Sequence, residues 1–199
     1  MTLLRRYFVT LLTVSLPVLA PAQTQAASDA PRVRLSTNQG DVVVELQAKA
    51  APQTVANFLQ YVRDKHYDGL IFHRVIDGFM IQGGGFDVQY RERATRAPIA
   101  HEGREALQRG GARNTVGTIA MARTNDPHSA TAQFFINVKD NAFLDPNTQS
   151  FGYTVFGQVV SGMDVVLKIK SIPTGRGGPF SSDVPRTPVI IQSATVITP

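Results

Sequence analysis

The stretch over residues 72–85, FHRVIDGFMIQGGG, constrains the fold of this chain more than any other. Two β-rich runs flank Asp77-Gly78, a dipeptide that marks a tight turn between antiparallel strands, so the stretch reads as a hairpin. Side chains alternate between faces along a strand, and the register decides which of them share a surface. A two-residue loop would pair Arg74 with Ile81 and set a guanidinium against an aliphatic chain. A three-residue loop that takes in Phe79 pairs Arg74 with Gln82 and Ile76 with Met80, and it puts Val75 beside Ile81 on the core side. The second register is the expected one. It gathers a permanent cation, an amide, a thioether and the Phe79 ring on one surface.

Arg keeps its proton near neutral pH, so Arg74 can donate hydrogen bonds but cannot act as a base. An apolar floor with a fixed donor suits a ligand that needs polarising more than proton transfer. The pattern alone fits equally well a barrel hairpin whose single Arg extends into solvent.

On either side of this hairpin the chain continues in short alternating runs. Residues 32–37 and 41–47 alternate around Asn38-Gln39-Gly40, a first hairpin. Pro52 suits the first turn of a helix, and Val55, Phe58, Leu59 and Val62 then form one apolar stripe at helical spacing. Over residues 86–114 the pattern weakens into loops with one short strand expected around 98–101. Strands return at 117–123 and 133–138. On the latter, Gln133 and Phe135 share one face while Phe134 and Ile136 share the other. A further strand is expected at 155–160, a second helix through Met163, Val166 and Leu167 after Ser161-Gly162, and a closing strand at 189–197. Many short strands with two helices predict an all-β sandwich or barrel, and periodicity does not choose between them.

The N-terminus belongs to a different kind of sequence. Arg5 and Arg6 precede an apolar run over 7–19, then Pro21 and small residues ending near Ala26-Ala27, the layout of a secretory signal peptide over residues 1–26. The run is short for a membrane span, so no membrane association is expected after cleavage. A twin-arginine signal is a poorer fit than the general secretory route. Export implies a periplasmic protein with a tail over 27–31 and one domain over 32–199. The chain has no cysteine, so an oxidising compartment poses no hazard. Of 20 basic and 15 acidic residues, losing Arg5 and Arg6 leaves 18 against 15, scattered without a basic run, which argues against nucleic-acid binding. The 43% hydrophobic content of the whole chain suffices for one globular core.

Catalytic motifs of other classes are missing: no G-x-S-x-G elbow, H-E-x-x-H, phosphate loop or G-x-G-x-x-G. His66, His73, His101 and His128 lack metal-ligand spacing and read as surface or packed residues, His73 as packed inside a strand.

The order of residues is more specific than their physics. FHRVIDGFMIQGGG, then GTIAMAR at 117–123, then SATAQFFIN at 129–137 resemble the signature runs of the cyclophilins, a family of peptidyl-prolyl cis-trans isomerases. The resemblance covers about residues 32–197 and looks like the exported bacterial branch. It implies a closed eight-stranded antiparallel β-barrel with an α-helix capping each open end, no cofactor, no metal, and a monomer that acts on proline-containing polypeptides and unfolded exported proteins. Arg74 and Gln82 fall on catalytic positions. Phe79, Met80, Phe135 and Leu144 fall on the socket for the proline ring, and Gln133 on a pocket position. Ala122 stands where the family has a small residue beside the bound peptide, Arg123 where many members carry Asn, and Tyr153 where His is frequent. Phe143-Leu144-Asp145 matches a Trp-Leu-Asp segment, and Phe143 in place of Trp implies weak cyclosporin binding. A proline-peptide binding module or chaperone with little turnover is the competing reading, and it would not need Arg74.

Overall fold

The computed structural model of the protein describes residues 30–197, so the expected signal peptide and most of the tail after it lie outside the described residues. Strands β1 (Arg32–Thr37) and β2 (Gly40–Leu46) form the first hairpin. Val33, Leu35, Val42, Val44 and Leu46 are buried because the two-residue period sends alternate side chains inward. Helix α1 (Pro52–Arg63) buries Val55, Phe58, Leu59 and Val62. Its first residue is a proline, whose missing N–H removes one unsatisfied donor. Ala51 offers no side-chain cap, and buried Glu102 takes that role from 48 residues away. Its carboxylate accepts from Thr54 N (2.7 Å), Thr54 Oγ1 (2.8 Å) and Gln53 N (3.1 Å).

Strands β3 (Arg74–Ile76) and β4 (Met80–Gly83) pair Arg74 with Gln82, Val75 with Ile81 and Ile76 with Met80, the register expected from the chemistry of Arg74. Gly78 in the connecting loop has φ 72°, in the left-handed region that favours glycine. The remaining elements are α2 (Gly103–Gln108), β5 (Thr118–Met121), β6 (Phe134–Asn137), β7 (Val155–Ser161), α3 (Met163–Lys170), β8 (Thr174–Gly177), β9 (Phe180–Pro185) and β10 (Ile191–Ile197). Lys170 at the end of α3 donates to Asp77 Oδ1 at 2.8 Å and so ties that helix to the β3–β4 loop.

Eight strands make one antiparallel sheet in the order β10-β1-β2-β7-β5-β6-β4-β3. β3 and β10 are not joined by a full ladder. The segment before β3 meets the start of β10 through Gly69 N to Ile191 O (2.7 Å), Ile191 N to Leu70 O (2.8 Å) and Phe72 N to Val189 O (2.9 Å). The expected closed barrel is therefore a sheet curled until its ends meet over a few backbone hydrogen bonds. Phe58 of α1 inserts into the concave side, its ring centroid 5.1 Å from Phe156, 5.2 Å from Tyr67 and 5.8 Å from Phe134.

Two expectations need correction, and one feature was not foreseen. The described residues contain three α-helices, because α2 forms within the stretch expected to be loops. Its glycine start offers no side-chain N-cap, but its end is closed by Gly110 at φ 82° and by Gly111 N donating to Ala106 O at 2.8 Å, so Gly110-Gly111 was the available local sign of it. No strand forms around 98–101; Ile99 makes a single bridge to Ala130. Between α3 and β10 the chain folds into a separate two-stranded ladder, β8–β9, that packs beside β3. Among the described residues no helix is long and apolar enough to cross a membrane.

Candidate active site

Strand β6 is buried on both faces, and the site grows from that fact. Phe134 and Ile136 belong to the main core. Phe135 points the other way and joins Met80 of β4, Ala120 of β5, Val155 of β7 and Leu144 in a second apolar cluster. Met80, Phe135 and Leu144 of this cluster form the floor of a cavity of about 430 Å³. Arg74, Phe79, Met80, Gln82, Ala122, Arg123, Gln133, Phe135, Leu144 and Tyr153, all singled out from the sequence, line it together with His73, Phe86 and Phe180. Phe143 does not. It precedes Leu144 on a 3₁₀ turn, where successive side chains point apart, and it is 70% exposed. Its ring stacks on Phe79 at 5.7 Å and forms part of the rim.

A buried polar network holds that corner. Asn141 Nδ2 donates to the Phe79 carbonyl (2.9 Å) and to Asn137 Oδ1 (2.7 Å). Asn137 Nδ2 donates in turn to Asn114 Oδ1 (3.2 Å). Asp145 Oδ1 accepts from the Asn114 backbone (2.8 Å) and side chain (3.0 Å). The socket residues Phe79 and Leu144 are thus bound to each other through satisfied polar groups, the condition under which a buried network rigidifies its surroundings.

Arg74 rises on the polar side. Its Nη1 lies 3.5 Å from Gln82 Oε1, and Gln82 Nε2 donates to Gln133 Oε1 at 3.0 Å, which fixes the Gln82 amide with its oxygen towards Arg74. The guanidinium of Arg123 is engaged otherwise: it donates to the carbonyls of Gly152 (3.0 Å) and Thr124 (2.8 Å) and lies 4.7 Å over the Tyr153 ring. An adjoining hollow of about 280 Å³ shares Gln82, Ala122, Arg123 and Gln133 and runs on to Glu92, Thr124, Ser129 and Thr131. The Ala122 N–H donates to the Gln133 carbonyl (2.9 Å) and is not open to a peptide.

His73 is packed as expected, although it stands just before β3 and not inside a strand, and it also walls the cavity. It is 3% exposed, stacks on Phe180 at 5.3 Å and meets Phe86 edge-on at 4.8 Å. Burial, and then the charge of Arg74, push its pKa down to about 4. Phe86, Phe180 and nearby Asp183 were not singled out from the sequence. The turn residues Gly177-Gly178-Pro179 were the available sign of a hairpin there.

Residues 32–196 match the family described as cyclophilin type peptidyl-prolyl cis-trans isomerase/CLD. The chain belongs to the cyclophilins. It is 54% identical over 167 residues to peptidyl-prolyl cis-trans isomerase B of Escherichia coli, covering 82% of this chain and 98% of that one. To peptidyl-prolyl cis-trans isomerase A of Dickeya dadantii it is 46% identical over 194 residues, 97% of this chain and 98% of the relative. A crystal structure of a Cryptosporidium parvum cyclophilin-type isomerase in the presence of the dipeptide Ala-Pro is similar with a TM-score of 0.67 at 25% identity, covering 84% of this chain and 99% of that one.

In this cyclophilin the cavity presents an apolar floor and a cationic donor at one side. Among the described residues no cluster of His, Asp and Glu is placed to hold a metal ion. Binding a small ring and polarising one polar atom beside it is the chemistry that such a surface offers.

Proposed function

We propose that this peptidyl-prolyl cis-trans isomerase acts on exported polypeptides and that Arg74 is its principal catalytic group. Rotation about an X-Pro bond crosses a barrier of roughly 18–20 kcal/mol because amide resonance is lost on the way. No bond breaks, so the protein must favour the twisted amide over both planar forms. Phe79, Met80, Phe135 and Leu144 hold the proline ring. Arg74 donates to the proline nitrogen, whose lone pair localises as resonance is lost, and Gln82 steadies the guanidinium. The observation that carries this reading is a permanent donor, braced by the Gln82–Gln133 pair, at the edge of an apolar socket of about the size of a short peptide segment. Export is supported by Arg5-Arg6, the apolar run after them and the small residues up to Ala26-Ala27. Weak cyclosporin binding belongs to the same proposal, because Phe143 fills apolar volume but has no hydrogen to donate.

One experiment tests the reading. The full chain is expressed in a Gram-negative host, the cells are fractionated, and each fraction is assayed on a short X-Pro peptide beside Arg74→Ala. Wild-type activity is expected in the periplasm, from a protein that begins near Ala27. Arg74→Ala should reach the same fraction folded, with turnover lowered by two orders of magnitude or more, about 2.7 kcal/mol of transition-state stabilisation. A folded, fully active Arg74→Ala protein would remove Arg74 from the mechanism, and activity confined to the cytoplasm would refute export.

A further inference from the structure

We propose that Asp183, on the β8–β9 hairpin outside the main sheet, is a positioning residue for Arg74. The inference rests on the catalytic reading of Arg74 given above. Gln82 contacts one end of the guanidinium, Nη1, at the limit of hydrogen-bond length (3.5 Å). On the other side, Asp183 Oδ2 lies 4.0 Å from Nε. A planar group touched at a single atom can still swing, whereas a carboxylate at ion-pair distance from its other edge draws that edge to one side.

The hairpin is built to deliver that carboxylate. Asp183 has φ 67°, a left-handed conformation uncommon outside glycine and one that Asp and Asn tolerate best. The β8–β9 register shifts between Gly175 and Gly177, opposite this part of β9. Simple alternation is lost there, with Asp183 half-buried and Val184 and Pro185 both buried after it. Irregularities of this kind re-aim side chains and occur beside active sites. Phe180 pins the hairpin by stacking on His73, the residue before Arg74, and by meeting Phe86 edge-on at 5.1 Å. Both side chains of the ion pair are partly exposed, 43% for Arg74 and 34% for Asp183. Such a pair contributes little to stability, so its use lies in orientation.

Asp183→Asn keeps the shape and the tolerance for left-handed backbone while removing the charge. It should melt like the wild type and lower kcat/KM about fivefold, mainly through kcat. In an Arg74→Ala background the same substitution should change nothing further. A second readout is independent of turnover: ¹⁵N relaxation of the Arg74 Nε–H should report greater mobility in Asp183→Asn. Unchanged kcat/KM with unchanged Arg74 mobility would overturn the proposal, as would an equal loss in both backgrounds, which would mean that Asp183 acts without Arg74. An active Arg74→Ala protein would instead sink the catalytic reading, and the relaxation data would still judge the contact.

Discussion

Leu144 and Phe143 are neighbours in the chain with opposite fates. A 3₁₀ turn sends Leu144 into the socket at 8% exposure and leaves Phe143 at the rim, its ring against Phe79. Proline handling should therefore depend on Leu144, whereas ligands that reach over the rim should feel Phe143. A cyclosporin carbonyl placed against Phe143 would find apolar surface where an indole would offer N–H. An unpartnered carbonyl costs about 1–3 kcal/mol, or about one to two decades of affinity. Phe143→Trp should accordingly tighten cyclosporin inhibition by about tenfold or more, with turnover on a short X-Pro peptide changed by less than about twofold. Inhibition constants for the two proteins decide this: tight binding by the wild type, or no gain from Trp, would defeat the argument.

Among the elements, legibility followed the range of the interactions. The β3–β4 register could be read because two local facts, an Asp-Gly turn and the unsuitability of Ile81 as a neighbour for Arg74, point to one pairing. The α1 stripe and the two faces of β6 were equally local. Helix α2 and the β8–β9 ladder were less so: α2 is six residues long with no side-chain cap and only Gly110-Gly111 to mark its end, and β8 is a glycine-rich run whose partner strand packs beside β3. The cap of α1 was hidden for the same reason, since Glu102 is remote in sequence from the amides it serves. Removing it strips charge-assisted hydrogen bonds from buried donors at a helix N-terminus. Glu102→Ala should cost about 2–3 kcal/mol, visible as a lower urea midpoint and a melting temperature lower by roughly 5–10 °C. Turnover per folded molecule should be unaffected, because Glu102 is remote from the cavity lining. A melt that overlays the wild type would show that the cap contributes nothing.

At the scale of the whole molecule, the site sits on a seam between the curled sheet and the β8–β9 hairpin, and His73 lies in that seam with Nδ1 buried and without a partner. Its ordinary pKa of 6.5 falls to about 4 in the folded protein. The folded state thus resists a proton that the unfolded chain accepts readily. Stability from this group is complete above pH 6.5, drains away as the pH falls from 6.5 towards 4, and is gone below that, a total of about 3 kcal/mol. His66 and His101 are displaced in the same direction, also first by burial, and add to the acid side. The depressed carboxyls of Asp64, Asp77 and Asp87 act lower, losing their contribution only as the pH drops through and below 3.8. Between pH 7 and pH 5 the histidines therefore act alone among these groups. Over that interval His73 should remove about 2 kcal/mol of unfolding free energy. The ring has two aromatic neighbours, so His73→Phe keeps the stacking and deletes the titration. Urea unfolding of both proteins at pH 7 and pH 5 should show a pH-dependent loss smaller by about 2 kcal/mol in the variant. Equal losses would mean that His73 takes up its proton without opening the seam.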